Sequence, residues 1–90
     1  MTDKELLELA AKAAEMPKGS VMGSGDYLYE KDGRAIYWNP LKDDGDAFRL
    51  AVKLMEFEPY KSRGCAPFFS EDLAATRRAI VRAAAEIGKI

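Results

Sequence analysis

The chain has 90 residues, of which 48% are hydrophobic and 32% charged, with a formal net charge of −1. That length suits one domain spanning residues 1–90, with a core that removes roughly 60–65% of the unfolded chain's surface from water. The balance of apolar and charged residues excludes a disordered chain, and a pI near 5.4 disfavours a domain built to wrap nucleic acid.

Histidine is absent and Cys65 is the sole cysteine. Together these remove Ser-His and Cys-His nucleophile pairs, histidine acid–base catalysis, His-containing zinc sites and thiolate clusters within one chain. The reading is therefore of a protein that is not an enzyme, with no catalytic, cofactor-binding or metal residue assigned. A single cysteine forms no internal disulfide and fits a reducing compartment. The first residues, Met1-Thr2-Asp3-Lys4-Glu5, lack a basic region followed by an apolar one, and no apolar run approaches the ~20 residues of a membrane span. The expectation is a cytoplasmic protein of a bacterial host with no membrane partner.

Residues 2–16 predict a helix. Thr2 and Glu5 have capping-box spacing, and Leu6, Leu9, Ala10, Ala13 and Met16 recur at three- and four-residue steps. Pro17 and Gly19 end it. Residues 17–25 then read as a flexible connection. Its glycines alternate with serine, but no GxxxxGK[ST] phosphate loop is present, and the order of a helix before and a strand after is wrong for a dinucleotide fingerprint.

Residues 26–38 predict a hairpin with Asp32-Gly33 at its tip, because a type I′ turn needs positive φ at both positions. That register pairs Lys31 with Arg34, Glu30 with Ala35, Tyr29 with Ile36, Leu28 with Tyr37 and Tyr27 with Trp38. One face carries Tyr27, Tyr29, Ile36 and Trp38; the other carries Leu28, Glu30, Ala35 and Tyr37. Both are substantially apolar, so helices are expected over both.

After Asn39-Pro40-Leu41 a second helix is predicted over 44–54, with Asp43, Asp44 and Asp46 at its positive end. Ala47, Phe48, Ala51, Val52 and Leu54 or Met55 form its expected buried face. Between residues 55 and 69 a short strand starting at Met55 and an edge strand over Cys65-Ala66-Pro67-Phe68-Phe69 are expected. The last helix is predicted from Ser70 as N-cap to Ile87, before Gly88, burying Leu73, Thr76, Ile80, Ala83, Ala84 and Ile87. The predicted class is a small α+β sandwich in the order α-β-β-α-β-(β)-α, its mainly antiparallel sheet carrying helices on its faces.

Three groups could carry function. Asp43, Asp44 and Asp46 lack the spacing of a calcium-binding loop and read as helix caps. Arg78 and Arg82 share a helix face and, with Arg77, are the candidate phosphate contacts, although Glu86 breaks the basic stripe. Tyr27, Tyr29, Tyr37 and Trp38 read first as core, then as a protein interface, then as a base-stacking platform.

The run Trp38-Asn39-Pro40-Leu41-Lys42-Asp43-Asp44-Gly45-Asp46-Ala47-Phe48-Arg49-Leu50-Ala51-Val52 and the run Thr76-Arg77-Arg78-Ala79-Ile80-Val81-Arg82-Ala83-Ala84 resemble short phage- and prophage-encoded proteins of the α-β-α sandwich type. The stretch between the runs is shorter than that group leads one to expect, leaving room for one strand fewer. The resemblance implies an accessory phage protein with helices on both sides of a small sheet, and brings no activity to any residue. The functional expectation is a binding module for a phage or host protein, present as a monomer or weak homodimer. The alternative is a nucleic-acid accessory protein using Arg77, Arg78 and Arg82.

Overall fold

Thr2 starts the first helix as its spacing with Glu5 predicts. In the computed structural model, which describes residues 2–56 and 71–89, the Thr2 hydroxyl oxygen accepts the Glu5 backbone N–H at 3.2 Å. The Glu5 carboxylate meets that hydroxyl, at 3.1 Å, rather than the Thr2 N–H of a full capping box. The described elements are α1 (Asp3–Ala13), β1 (Gly19–Val21), β2 (Tyr27–Lys31), β3 (Arg34–Trp38), α2 (Asp44–Leu54) and α3 (Leu73–Gly88). They make a small α+β fold, with helices packed against an antiparallel sheet ordered β1-β2-β3.

α1 stops at Ala13, short of the expected Met16. Glu15 takes φ +57°, its N–H bonds to the Lys12 carbonyl at 3.1 Å, and the Met16 N–H bonds to the Ala11 carbonyl at 2.9 Å. This is a Schellman ending with a glutamate where glycine is usual.

The expected connection over 17–25 is largely a hairpin. β1 pairs antiparallel with β2, matching Gly19 to Tyr29, Ser20 to Leu28 and Val21 to Tyr27. The Gly25 N–H reaches the Met22 carbonyl and the Met22 N–H reaches the Asp26 carbonyl, both at 2.9 Å, with Gly25 at φ +93°. That is a three-residue loop with a left-handed glycine. Three residues are too few to show alternation in a sequence. Gly19 is a weak strand former present for another reason: any Cβ there would overlap the Leu28 backbone carbonyl.

The Asp32-Gly33 turn holds φ of +53° and +77°, and all five pairs between β2 and β3 match the predicted register. Tyr27 and Trp38 lie buried edge-to-face, with centroids 5.8 Å apart and planes at 80°, and the Tyr27 hydroxyl donates to the Pro17 carbonyl at 3.0 Å. Tyr29 and Ile36 are half-buried beside them. On the opposite face only Leu28 is half-buried, Glu30 and Ala35 are exposed, and Tyr37 is 63% exposed. Cover falls on one face because the three helices pack together on that side: α1 and α2 both lie against α3, and Leu7, Leu54 and Val81 are buried in the same core as Tyr27 and Trp38.

α2 has its predicted bounds, with Asp43 accepting the Asp46 N–H at 2.7 Å. Its buried side is Ala47, Leu50, Ala51 and Leu54. Phe48, expected in the core, is 62% exposed, and Val52 is exposed too. The helix carries two apolar stripes one position apart, about 100° around its axis, and sequence alone cannot choose between them. Met55 caps α2 in a helical conformation and so cannot open the expected strand. Glu56 continues that turn, its N–H bonding to the Lys53 carbonyl at 3.1 Å, while the strand's remaining residues and the strand over 65–69 fall outside the described residues.

α3 is capped by Asp72, which accepts the Ala75 N–H at 3.2 Å, so Ser70 is not its N-cap. Ile80, Val81, Ala84, Ala85 and Gly88 are buried, Thr76, Ala83 and Ile87 are half-buried, and Leu73 is 62% exposed. Gly88 lies inside the helix rather than beyond it. A Cβ at Gly88 would overlap the Leu9 carbonyl of α1, so glycine here permits a close helix crossing. No described helix is long and apolar enough to cross a membrane.

Candidate functional site: a cleft between the third strand and the second helix

The position of α2 beside the sheet is set at Asn39, which sequence reading treated only as a turn residue. Asn39 is 6% exposed, and every polar group it buries is bonded. Its side-chain amide donates to Asp26 Oδ1 at 2.9 Å and to the Gly25 carbonyl at 3.3 Å, and its Oδ1 accepts the Leu41 N–H at 3.1 Å. Its backbone N–H donates to Asp46 Oδ2 at 2.9 Å, while its carbonyl accepts from Lys42 and Asp43 at 3.1 and 2.8 Å. One residue thus joins the β1–β2 loop, the end of β3 and the first turn of α2.

With α2 anchored at that end, a cleft of about 390 Å³ is left between it and β3. Tyr29, Ile36, Trp38 and Leu50 give it an apolar floor, and Ala14 and Met16 close it at the end of α1. Asp46, Arg49 and Lys53 form the wall on α2. Each oxygen of the Asp46 carboxylate has a structural partner, one the Asn39 N–H and the other Arg49 Nη2 at 2.7 Å. Lys53 pairs with Glu56 at 3.4 Å.

The three candidate groups fare differently. Asp43 caps α2, Asp44 pairs with Arg77, and Asp46 serves Asn39 and Arg49, so each acid has a structural partner. Among the described residues no three acids or cysteines converge. Of the arginines, Arg77 donates through Nε to the Leu41 carbonyl at 2.9 Å and through Nη1 to Asp44 at 2.6 Å, tying α3 to the start of α2. Arg78 makes a two-pronged contact with Asp3 at 3.0 and 3.3 Å, tying α3 to the start of α1. That hydrogen bond chiefly holds the Asp3 carboxyl below its ordinary pKa of 3.8, against the opposing effect of burial, with the charges of Arg78 and Lys42 adding to it. Arg82 is exposed, in a hollow with Leu6, Glu86 and Lys89, and Glu86 and Lys89 pair at 3.0 Å.

The aromatic group is split by the pleat. Tyr27 and Trp38 belong to the core, Tyr29 is shared between core and cleft floor, and Tyr37 is the member that faces water. Strand alternation makes this division legible in the sequence; which face would be covered was not. Arg49 and Lys53, in none of the three candidate groups, are the residues that sequence reasoning missed. Their spacing with Asp46 and Leu50 is that of one helix face, but nothing local says that face borders a cleft. Comparison with protein-family models, with curated proteins and with solved structures finds no match.

Proposed function

We propose that this chain is a small accessory protein that acts by binding another protein and performs no chemistry of its own. The observation that carries the reading is the make-up of the cleft. Its floor is aromatic and aliphatic, its carboxylate is spent on structural bonds, and exposed Tyr37 stands at its rim. Aromatic and arginine side chains grouped around a concave apolar surface are what protein contact sites use for anchoring. The lone Cys65 supports a cytoplasmic setting, and the two sequence runs support a phage-derived role in a bacterial host. Arg77 and Arg78 take their partners from the fold, which leaves the nucleic-acid alternative resting on Arg82.

The test is photo-crosslinking in bacterial cells from p-benzoylphenylalanine placed at Tyr37, with the same group at Glu8, exposed on α1, as control. A discrete adduct is expected from position 37 and none from position 8. Equal labelling at both positions, or none at either, would remove the basis for the reading.

A further inference from the structure

We propose that the outer edge of β3 takes an extended segment of the partner protein as an added strand, with acidic residues of that segment against Arg49 and Lys53. This rests on the protein-binding reading above and names the chemistry of the partner.

Two hairpins fix which backbone groups the edge presents. The Met22 N–H to Asp26 carbonyl bond makes 22 and 26 a hydrogen-bonded pair, so 20 and 28 are the next one and the Leu28 backbone turns toward β1. Tyr37 lies opposite Leu28, so its N–H and C=O point away from β2, as do those of Ala35 two residues earlier. The Asp32-Gly33 turn gives the same phase independently. Its flanking pair, Lys31 with Arg34, is hydrogen-bonded, and so are Tyr29 with Ile36 and Tyr27 with Trp38. Among the described residues β3 ends the sheet, and the outward groups of Ala35 and Tyr37 have no partner there. Edges are usually blunted by proline, a bulge or a central lysine; β3 has none of these and one charge, Arg34, beside the turn.

The cleft lies beside that edge. Ile36, Tyr37 and Trp38 all line it, although their side chains alternate between faces, so it reaches the edge itself. Across it Asp46, Arg49, Leu50 and Lys53 stand at i, i+3, i+4 and i+7 on α2. A strand added ~4.8 Å from β3 sends alternate side chains into the cleft, over Ile36, Trp38 and Leu50, and the others over Tyr37. Arg49 uses one nitrogen on Asp46 and keeps its remaining donors, so an acidic side chain on the segment completes its fork. A second copy fits less well, because β3 contains Arg34 and no acid to bring to Arg49 and Lys53.

The probe is a blocked hexapeptide of alternating glutamate and valine, titrated into the ¹⁵N-labelled full chain. Binding should slow hydrogen exchange at the Ala35 and Tyr37 amides by at least about tenfold and leave the Ile36 amide, already bonded to Tyr29, unchanged. Peptides N-methylated on one edge or the other should differ by at least about tenfold in affinity, since one edge alone meets β3. Replacing glutamate by lysine should weaken binding by a similar factor. The Arg49→Ala, Lys53→Ala variant should lose the preference for glutamate over threonine in the peptide while still binding the threonine form. Shifts in the cleft without slowed exchange at Ala35 and Tyr37, or equal tolerance of both methylated peptides, would overturn strand addition and leave a protein-binding cleft. Absence of binding at millimolar peptide would overturn the acidic-strand partner, while crosslinking from position 37 decides the broader reading separately. Protection of Ala35 and Tyr37 that grows with protein concentration alone, with sedimentation as a dimer, would make a second copy the occupant and overturn the proposal.

Discussion

Asn39 is a polar side chain taken out of water where the chain leaves β3, and its place in the fold depends on every bond it makes there. Asn39→Ala removes the donors to Asp26 and Gly25 and the acceptor for Leu41, leaving half-buried partners unmatched. The expected cost is about 2–3 kcal/mol, read as a lower urea midpoint with an unchanged slope; a loss below about 0.5 kcal/mol would mean that water replaces the amide without penalty. Glu15 is the converse case, a residue held in a conformation its side chain disfavours. A left-handed residue with a Cβ costs about 1–2 kcal/mol, and glycine returns part of that gain through its freer unfolded state. Glu15→Gly is therefore expected to raise stability by about 0.5–1 kcal/mol, and a drop in thermal midpoint would show that the Glu15 side chain makes a contact worth more than the strain. Neither role was legible in the sequence. Asn39 reads as a turn residue before proline, and its burial depends on Asp26 and Asp46, 13 and 7 residues away. Glu15 reads as the wet side of a helix that in fact stops two residues before it, at Ala13.

At the scale of elements, local chemistry predicted what it could reach. The bounds of α2 and the register of the hairpin follow from Asp43 and from Asp32-Gly33, each acting within a few residues. β1 and the buried side of α2 depend on what lies across from them, and there the sequence was silent or misleading. Gly88 separates the two kinds of reasoning by sign. Helix propensity says that Gly88→Ala should stabilise α3 by about 1 kcal/mol. The crossing of α1 and α3 says the opposite, because the new methyl group meets the Leu9 backbone, which can yield only by separating the helices. A net loss of about 1–3 kcal/mol is expected from such overpacking, and any rise in the denaturation midpoint would show that the crossing is looser than described. The Asp3–Arg78 pair that ties the same helices gives a pH signature. Asp3's folded pKa lies below its unfolded value, so the pair's contribution is present above about pH 4 and disappears as pH falls through the folded pKa. The pair is exposed, so the difference between the wild type and Arg78→Ala should be a few tenths of a kcal/mol, constant from pH 8 to about 5, and shrinking below about 4. A difference that survives to about pH 2 would mean that Arg78 acts through packing instead of charge.

For the whole molecule, the class was legible: a small antiparallel sheet with helices packed against it follows from one strong hairpin and three amphipathic helices. The one-sided cover was not, since both faces of the hairpin carry apolar residues and only the packing of α1 and α2 on α3 decides which of them is buried. The same assembly distributes the charge. A net charge of −1 gives little long-range attraction for a polyanion, and folding pairs Arg77 with Asp44 and Arg78 with Asp3, so a phosphate must compete with a carboxylate already in place. Arg82 remains exposed, but the Glu86–Lys89 pair beyond it puts an acid where a tracking surface would need a cation. Binding to a short single- or double-stranded DNA near physiological salt is therefore expected to be weaker than about 100 μM, beyond the weak end of ordinary non-specific contact. The Arg78→Ala, Arg82→Ala variant should bind as the wild type does and show the same shallow dependence on salt. A basic surface in real use would behave otherwise: each phosphate neutralised releases condensed counterions, so losing two contacts would flatten the logarithmic salt slope by about one to two units. Sub-micromolar binding by the wild type that this double change abolishes would place nucleic acid ahead of protein as the partner. It would also mean that Asp3 releases Arg78 when phosphate arrives, which the pH signature of that pair, measured with DNA bound, would then no longer show.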